Sequence, residues 1–462
     1  MAASRSDALV FFGATGDLAY KQIFPALQAL IRRGHLNMPI VGVARPKWNL
    51  DQIKARAKDS LEKHGDLDPA AYAKLCSLLG YIDGDYADST TFAKLHKALA
   101  AAKRPLYYLA VPPSLFATVA EGVSKSGGAK DARVVVEKPF GRDLASAREL
   151  NRTLHRFFPE QNIFRIDHYL GKEPVQNFIY FRFANPLIEA GWNNHHIESV
   201  QITMAESFGV AGRGKLYEQT GAIRDVVQNH MLEVIASLAM ECPAGKDHEA
   251  RRGERRRLLE TVRTLDPSDA VRGQFRGYRR EAGVASDSQV ETFAAVRFHI
   301  DNERWNGVPF YVRVGKCLPV TATEVLIRLK RPPRPVLDEL DPPLANYYRF
   351  RLSPEMVIAL GTKGKKPGEL MVGERIELVA CHQAPDEMEP YERLLGDAAN
   401  GDATLFASED SVEAAWRVVD PILRDTSPPF EYETNTWGPP KAERTLAPEG
   451  GWHNPEAKEV SL

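Results

Sequence analysis

An α/β domain built on a doubly wound parallel sheet, followed by an α+β domain with a large antiparallel sheet, is the fold class the sequence predicts. Three observations predict it. Short apolar strands alternate with helical patterns through the first part of the chain, a glycine turn stands between the first strand and the first helix, and later strand-like segments mostly lack long helices between them. A length of 462 residues fits two or three domains with ample core.

The first element, Ala8–Phe12, is a continuous apolar run, followed by Gly13-Ala14-Thr15-Gly16 and a helical pattern from Ala19. Ile23, Leu27, Leu30 and Ile31 recur at helical spacing, Arg32 and Arg33 suit the negative end of the helix dipole, and Gly34 can end the helix. Residues 39–44 form a second short apolar strand, and residues 106–111 and 133–136 are further buried-strand candidates. Helical stretches are expected at 51–64, 70–79 and 91–102. After about residue 170 the strand candidates are 199–206, 291–299, 309–316, 324–329, 355–360 and 374–380, with one strong helix at 222–240. The domains expected are therefore 1–170 and 171–462. The run Arg251 to Arg257 reads as a solvated helix face, and Pro332-Pro333-Arg334-Pro335 with Pro342-Pro343 marks a loop.

Composition narrows the function. There are 60 Lys and Arg against 61 Asp and Glu, a net charge of −1, and the chain is 44% hydrophobic. Such a balance argues against nucleic acid as the main partner, because phosphate-backbone binding needs a positive footprint. No apolar stretch approaches a membrane span, and the opening residues lack a secretory pattern, so the expectation is a soluble, cytoplasmic protein with no membrane partner. Cys76, Cys242, Cys317 and Cys381 are far apart and form no zinc-type spacing, so packed thiols and no metal are expected. Cys317 is set apart only by following Lys316.

Four groups of residues could carry chemistry. Gly13-Ala14-Thr15-Gly16-Asp17-Leu18 after a strand suits a pyrophosphate facing a helix N-terminus, in the manner of a Rossmann domain, although a glycine turn alone has an equally good structural reading. Arg45 closes the second strand, where an acidic residue would take a ribose diol and arginine suits a 2′-phosphate, which favours NADP over NAD. The neighbouring Pro46 offers no donor. Glu137-Lys138-Pro139-Phe140-Gly141 follows an apolar strand, whose carboxyl end faces the ligand crevice of such a sheet. Lys138 could therefore reach substrate or cofactor, and Pro139 supplies a rigid turn with either isomer open.

In Arg165-Ile166-Asp167-His168-Tyr169-Leu170-Gly171-Lys172, a helix beginning near His168 would put Lys172 on the same face, giving two donors for one anion. Asp225 and His230, within the strong helix, are five apart and diverge by about 140° on an α-helix. On that reading they grip a ligand from different sides, or His230 is a surface residue in an Asn/Gln-rich patch.

GATGDLA, EKPFG, RIDHYLGKE, RDVVQNH and VPFYVRVGK, in this order over nearly the whole chain, resemble the glucose-6-phosphate dehydrogenase family, with a similar Gly438-Pro439-Pro440 ending. The resemblance implies oxidation of D-glucose 6-phosphate at C1 to 6-phospho-D-glucono-1,5-lactone with hydride transfer to NADP, the first step of the oxidative pentose phosphate pathway, with NAD as an open second acceptor. It implies that His230 is the general base for the C1 hydroxyl and Asp167 the carboxylate that orients it. By the same resemblance His168 and Lys172 hold the 6-phosphate, with Tyr169 beside them in the substrate site, and Glu206, Asp225 and Lys316 are sugar or phosphate contacts. Lys138 lies near both substrate and nicotinamide, Tyr108 and Pro139 are cofactor contacts, and Arg45 meets the 2′-phosphate. A homodimer or tetramer assembled through the second domain's sheet is also implied. These residue types suit the reaction: a base near neutral pKa for the proton, a carboxylate to fix its tautomer, cations for a dianion that does not react.

Two positions depart from the family pattern. Thr321 stands where many members carry a second Lys or Arg, and the basic triplet after the glycine turn appears as Tyr20-Lys21-Gln22. The competing readings are a related Rossmann sugar dehydrogenase for an unphosphorylated sugar and a catalytically silent dinucleotide-binding sensor. The first turns on whether a phosphate at C6 is required, and the second on whether a base and its acid are present.

Overall fold

Strands with no polar face build the first sheet. In the computed structural model, which describes all residues except 1–4, 46, 100, 129, 333–344, 382–386 and 458–462, these are β1 (Ala8–Phe12), β2 (Ile40–Ala44), β3 (Leu79–Asp83), β4 (Pro105–Leu109), β5 (Arg133–Glu137) and β6 (Ile163–Ile166). Pro46 and the proline positions from 333 to 343 lie outside the described residues. Every residue of β1, β2, β4 and β5 is buried. All five pairings are parallel, in the order β3-β2-β1-β4-β5-β6, the doubly wound order of a dinucleotide-binding domain. β3 and β6 were not among the expected strands. β3 is an edge strand whose last four residues are only half buried, so its apolar signal is diluted, and the expected helix at 70–79 ends at Leu78.

Helix starts follow the sequence closely because their caps are local. Asn49 and Gln52 form a reciprocal capping box for Leu50–His64, with both bonds 2.9 Å, and Asp68 and Asp143 cap Pro69–Leu78 and Leu144–His155. Leu27, Leu30, Ile53, Ala57 and Leu61 pack into the sheet's core, joined by Leu394, Leu395, Ala398 and Phe406 from late in the chain. The helix expected from Ala19 is π-helical over Ala19–Ile23 before the α-helix Phe24–Arg32.

The second sheet has nine strands, β7 (Ile197–Ala205), β8 (Ala270–Phe275), β9 (Phe293–His299), β10 (Pro309–Gly315), β11 (Ala322–Leu329), β12 (Tyr347–Ser353), β13 (Val357–Lys365), β14 (Gly373–Cys381) and β15 (Phe430–Tyr432), in the order β14-β13-β12-β11-β7-β10-β9-β8-β15. It is mixed and not wholly antiparallel: β10 enters beside β7 in parallel after a helical crossover and a returning hairpin, and β15 runs parallel to β8. β8, β12 and β15 are not among the expected strands. β12 buries Arg349 and Arg351 against Glu324, at 3.1 and 3.0 Å, so charged residues occupy positions where an apolar alternation would be sought.

The chain divides into two compact units, Met1–Glu173 with Pro243–Arg256 and Met388–Glu413, and Pro174–Cys242 with Arg257–Glu387 and Ala414–Leu462. The chain thus returns twice to its first unit after residue 170. The first return explains why the arginine run is not a solvated face. Arg252 and Arg255 are buried and donate to the carbonyls of Phe406 and Thr404, at 3.2 and 2.7 Å, while Arg257 stays exposed.

Candidate active site

In the first unit, the turn between β1 and its helix is shaped for close backbone approach. Gly13 has φ +85°, and a Cβ there would run into the Ala110 carbonyl oxygen. The Gly16 amide donates to the Gly13 carbonyl at 2.9 Å, Ala14 is buried and Thr15 is half buried. Asp17 is exposed, and Leu18 packs partly into the core. A bare cradle leading into a helix N-terminus fits a dinucleotide pyrophosphate. Arg45, just beyond β2, has a half-exposed side chain 3.8 Å from Asp85 and 5.4 Å from the centre of the Tyr86 ring. Tyr86 also lies against the turn, its hydroxyl 3.0 Å from the Gly13 amide and donating to the Val43 carbonyl at 3.2 Å.

At the end of β5, Glu137 is buried and the Lys138–Pro139 bond is cis. Gly141 has φ +87°. Burial raises the Glu137 acid to about 7, against the pull of the Tyr108 hydroxyl, Lys138 and the Tyr391 hydroxyl. Tyr108 does not offer its ring to a cofactor: it is 1% exposed, packs in the core from a central strand and donates its hydroxyl to Glu137.

Residues 167–172 form successive turns and not the start of a helix, which begins at Glu173. The amides of Leu170, Gly171 and Lys172 donate to the carbonyls three residues back at 3.0, 3.1 and 3.1 Å. Asp167, buried, accepts the Tyr169 amide at 3.0 Å. His168 is half buried, parallel to the Tyr391 ring and edge-on to Tyr169. The Lys172 ammonium sits 4.1 Å from the centre of the Tyr169 ring. Burial lowers the Lys172 pKa, opposed by the charges of Asp167 and Glu389.

In the second unit the strong helix is α-helical over Gly214–Ala222 and Leu232–Ala239, but Ile223–Met231 between them is π-helical. This overturns the expected divergence of Asp225 and His230. In a π-helix hydrogen bonds run from i to i+5, so residues five apart share a side. His230 is 2% exposed and so is no surface histidine; its amide donates to the Asn229 side chain at 2.6 Å. The segment is fixed at its start by buried Glu291, which accepts the Ile223 amide at 3.0 Å, and by Gly221 at φ +63°, whose Cβ would run into that carboxylate.

Lys316 follows β10, 5% exposed, with its ammonium 2.5 Å from Glu206 and 5.1 and 5.6 Å from the ring centres of Phe208 and Tyr217. The Thr321 hydroxyl accepts the Ser207 amide at 3.0 Å and lies 2.8 Å from the Ser207 hydroxyl, and Gln22 is exposed. Cys317 has φ +52°, and burial raises its thiol pKa, which makes it a poor nucleophile.

Residues 179–453 match the family model of the glucose-6-phosphate dehydrogenase C-terminal domain, and residues 10–177 match its NAD binding domain. The chain belongs to the glucose-6-phosphate dehydrogenase family. Among its relatives in that family, glucose-6-phosphate 1-dehydrogenase 1 of Mycobacterium tuberculosis is 42% identical over 451 residues, 97% of each chain. The glucose-6-phosphate 1-dehydrogenase of Aggregatibacter actinomycetemcomitans is 39% identical over 481 residues, again 97% of each. The solved structure of the Mycobacterium avium glucose-6-phosphate 1-dehydrogenase has a TM-score of 0.92 at 41% identity, covering 99% of this chain and 100% of that one. A glucose-6-phosphate dehydrogenase in complex with its substrate glucose-6-phosphate gives 0.90 at 34%, with the same coverage.

For a glucose-6-phosphate dehydrogenase family member, the sequence motifs named most of these positions and left out Tyr86, Glu291 and Tyr391. Glu137 was quoted within its motif without a role. Its place directly before Lys138 at a strand end was the available signal; Tyr86, Glu291 and Tyr391 stand in no motif, and only the fold brings them to their partners.

Proposed function

We propose that this protein oxidises D-glucose 6-phosphate at C1 to 6-phospho-D-glucono-1,5-lactone, with NADP as hydride acceptor. The observation that carries this reading is the match to glucose-6-phosphate 1-dehydrogenases over 97% of both chains. His230 takes the proton from the C1 hydroxyl. Its burial and its place in a π-turn favour a fixed imidazole over a mobile one, and Asp167 is the carboxylate that orients it and stabilises its cation. Asp225, on the same side of the π-turn, contacts the sugar, as does Glu206, whose pairing with Lys316 holds the ammonium ready for an anionic group.

His168 and Lys172 hold the 6-phosphate, with Tyr169 supporting Lys172 through its ring face. Burial lowers the lysine's pKa in the free protein, and a phosphate dianion beside it would favour its charged form. Gly13, Ala14, Thr15, Gly16, Asp17 and Leu18 would cradle the dinucleotide pyrophosphate, with Lys138 and Pro139 beside the nicotinamide and Arg45 on the 2′-phosphate. When bound, the nicotinamide supplies the acceptor for the C1 hydride.

The protein works in the cytoplasm, as a homodimer or tetramer assembled through the second sheet. Among the described residues no helix is long and apolar enough to cross a membrane. Ile376 and Leu378 of β14, with Leu370 and Met371 beside it, leave apolar side chains exposed at that sheet's edge, which supports assembly there.

The test is absorbance at 340 nm with glucose 6-phosphate and with free glucose, each with NADP and with NAD. Reduction that depends on the phosphate and runs faster with NADP is expected. Equal rates with free glucose would favour a dehydrogenase of unphosphorylated sugars, and no reduction by folded protein would favour a silent binding protein.

A further inference from the structure

Tyr391 opens the helix Pro390–Asn400, more than two hundred residues after the motifs of the first unit, yet its side chain joins two of them. Its hydroxyl lies near enough to the buried Glu137 carboxylate, directly before Lys138, to draw that acid's pKa down against the effect of burial. Its ring lies parallel to the His168 imidazole, with centroids 6.2 Å apart and 16° between the planes. This spacing lies within the range in which aromatic rings attract one another.

The helix carrying Tyr391 is also fixed to the turn carrying His168. Arg393 pairs with Glu173, and a Cβ on Gly171 would lie only 3.1 Å from the Leu394 side chain and from the Pro390 carbonyl oxygen. Helix and turn therefore touch too closely for a methyl group between them. Glu137 in turn accepts the hydroxyl of Tyr108 from β4, and a buried carboxyl held this way is fixed in place, because releasing the donor leaves polar atoms without compensation away from water. An imidazole on a turn, by contrast, has side-chain rotations to fix before it can meet a phosphate.

We infer that Tyr391 is a positioning residue: carried on a helix packed tightly against the turn of His168, its ring sets the plane of the His168 imidazole before the substrate's phosphate arrives. This rests on the proposed role of His168 in holding that phosphate. It goes beyond that proposal by assigning the phosphate site a support from a distant helix.

The test measures kcat and KM with glucose 6-phosphate and with free glucose for wild type, Tyr391→Leu, Tyr391→Phe, His168→Ala and the Tyr391→Leu/His168→Ala double variant. Tyr391→Leu is expected to raise KM for glucose 6-phosphate roughly threefold to tenfold, with kcat nearly unchanged and turnover of free glucose unaffected. Tyr391→Phe, which keeps the ring, is expected to recover part of the loss. In the His168→Ala background Tyr391→Leu should add nothing. Equal losses with both substrates, or losses that multiply in the double variant, would overturn the positioning role. If Tyr391→Leu does not fold, the same comparison is made with Tyr391→Phe, whose smaller rise in KM must also vanish without His168. A wild-type enzyme that does not prefer the phosphorylated sugar would instead overturn the functional reading, and the inference with it.

Discussion

Arg45 can meet a 2′-phosphate because it stands at the end of a buried strand with half of its side chain still in solvent. Asp85 and Tyr86 steady the guanidinium without burying it. On the proposed role, replacing it by alanine removes a charge-assisted contact that only NADP can make. Arg45→Ala is expected to lower kcat/KM for NADP by roughly tenfold to a hundredfold while leaving NAD nearly unchanged. Initial rates with the two cofactors check this, and an equal loss with both would place Arg45 outside the phosphate site. His168→Ala should raise KM for glucose 6-phosphate by a similar factor, with free glucose as the control. Both residues are candidates from the sequence alone, Arg45 by its place at a strand end and His168 within its motif. Tyr108 was the residue misread. Its position on an aromatic strand was visible, but the buried carboxyl that captures its hydroxyl was not.

At the scale of elements, the π-helical segment Ile223–Met231 matters most, because it puts Asp225 and His230 on one side. Apolar residues there recur at a spacing that an α-helix also satisfies, so the sequence carried no sign of the wider turn. Gly221→Ala is expected to cost about 1 to 3 kcal/mol of stability and to reduce kcat, measured by denaturant unfolding and steady-state kinetics. Wild-type stability would mean that the φ +63° conformation does not hold the start of the segment.

The helix Pro390–Asn400 gives a pH test. Burial, then the neighbouring charge of Asp402, raises the Asp397 acid to about 7. An aspartate in the unfolded chain titrates near about 4. Between these values the folded state holds a proton that the unfolded state has lost, so stability falls as pH rises from about 4 to about 7 and then levels off. Asp397→Asn should therefore melt above wild type at pH 8, with the gap closing toward pH 4. A gap that ignores pH would contradict the assignment.

For the whole molecule, four of the six strands of the first sheet were readable, because β1, β2, β4 and β5 are buried along their whole length and mostly apolar, whereas β3 and β6 gave no such signal. The second was readable as a succession of strands but not in its pairing. Parallel neighbours such as β7 and β10 lie over a hundred residues apart, and buried arginines disguise β12. The return of late segments to the first unit had no sequence signal, although it delivers Tyr391. Assembly is a property of this scale. If the exposed edge beside Leu378 is the subunit contact, Leu378→Glu should lower the mass found by light scattering from that of an oligomer to that of one chain. A monomeric wild type would contradict the proposed assembly.

His230 is proposed to remove the proton from the C1 hydroxyl of glucose 6-phosphate. The most direct measurement is single-turnover reduction of NADP by His230→Asn under saturating glucose 6-phosphate, alongside the dissociation constant of the sugar phosphate. A rate lower by roughly a hundredfold to ten-thousandfold is expected, with binding retained. A rate close to wild type would contradict it.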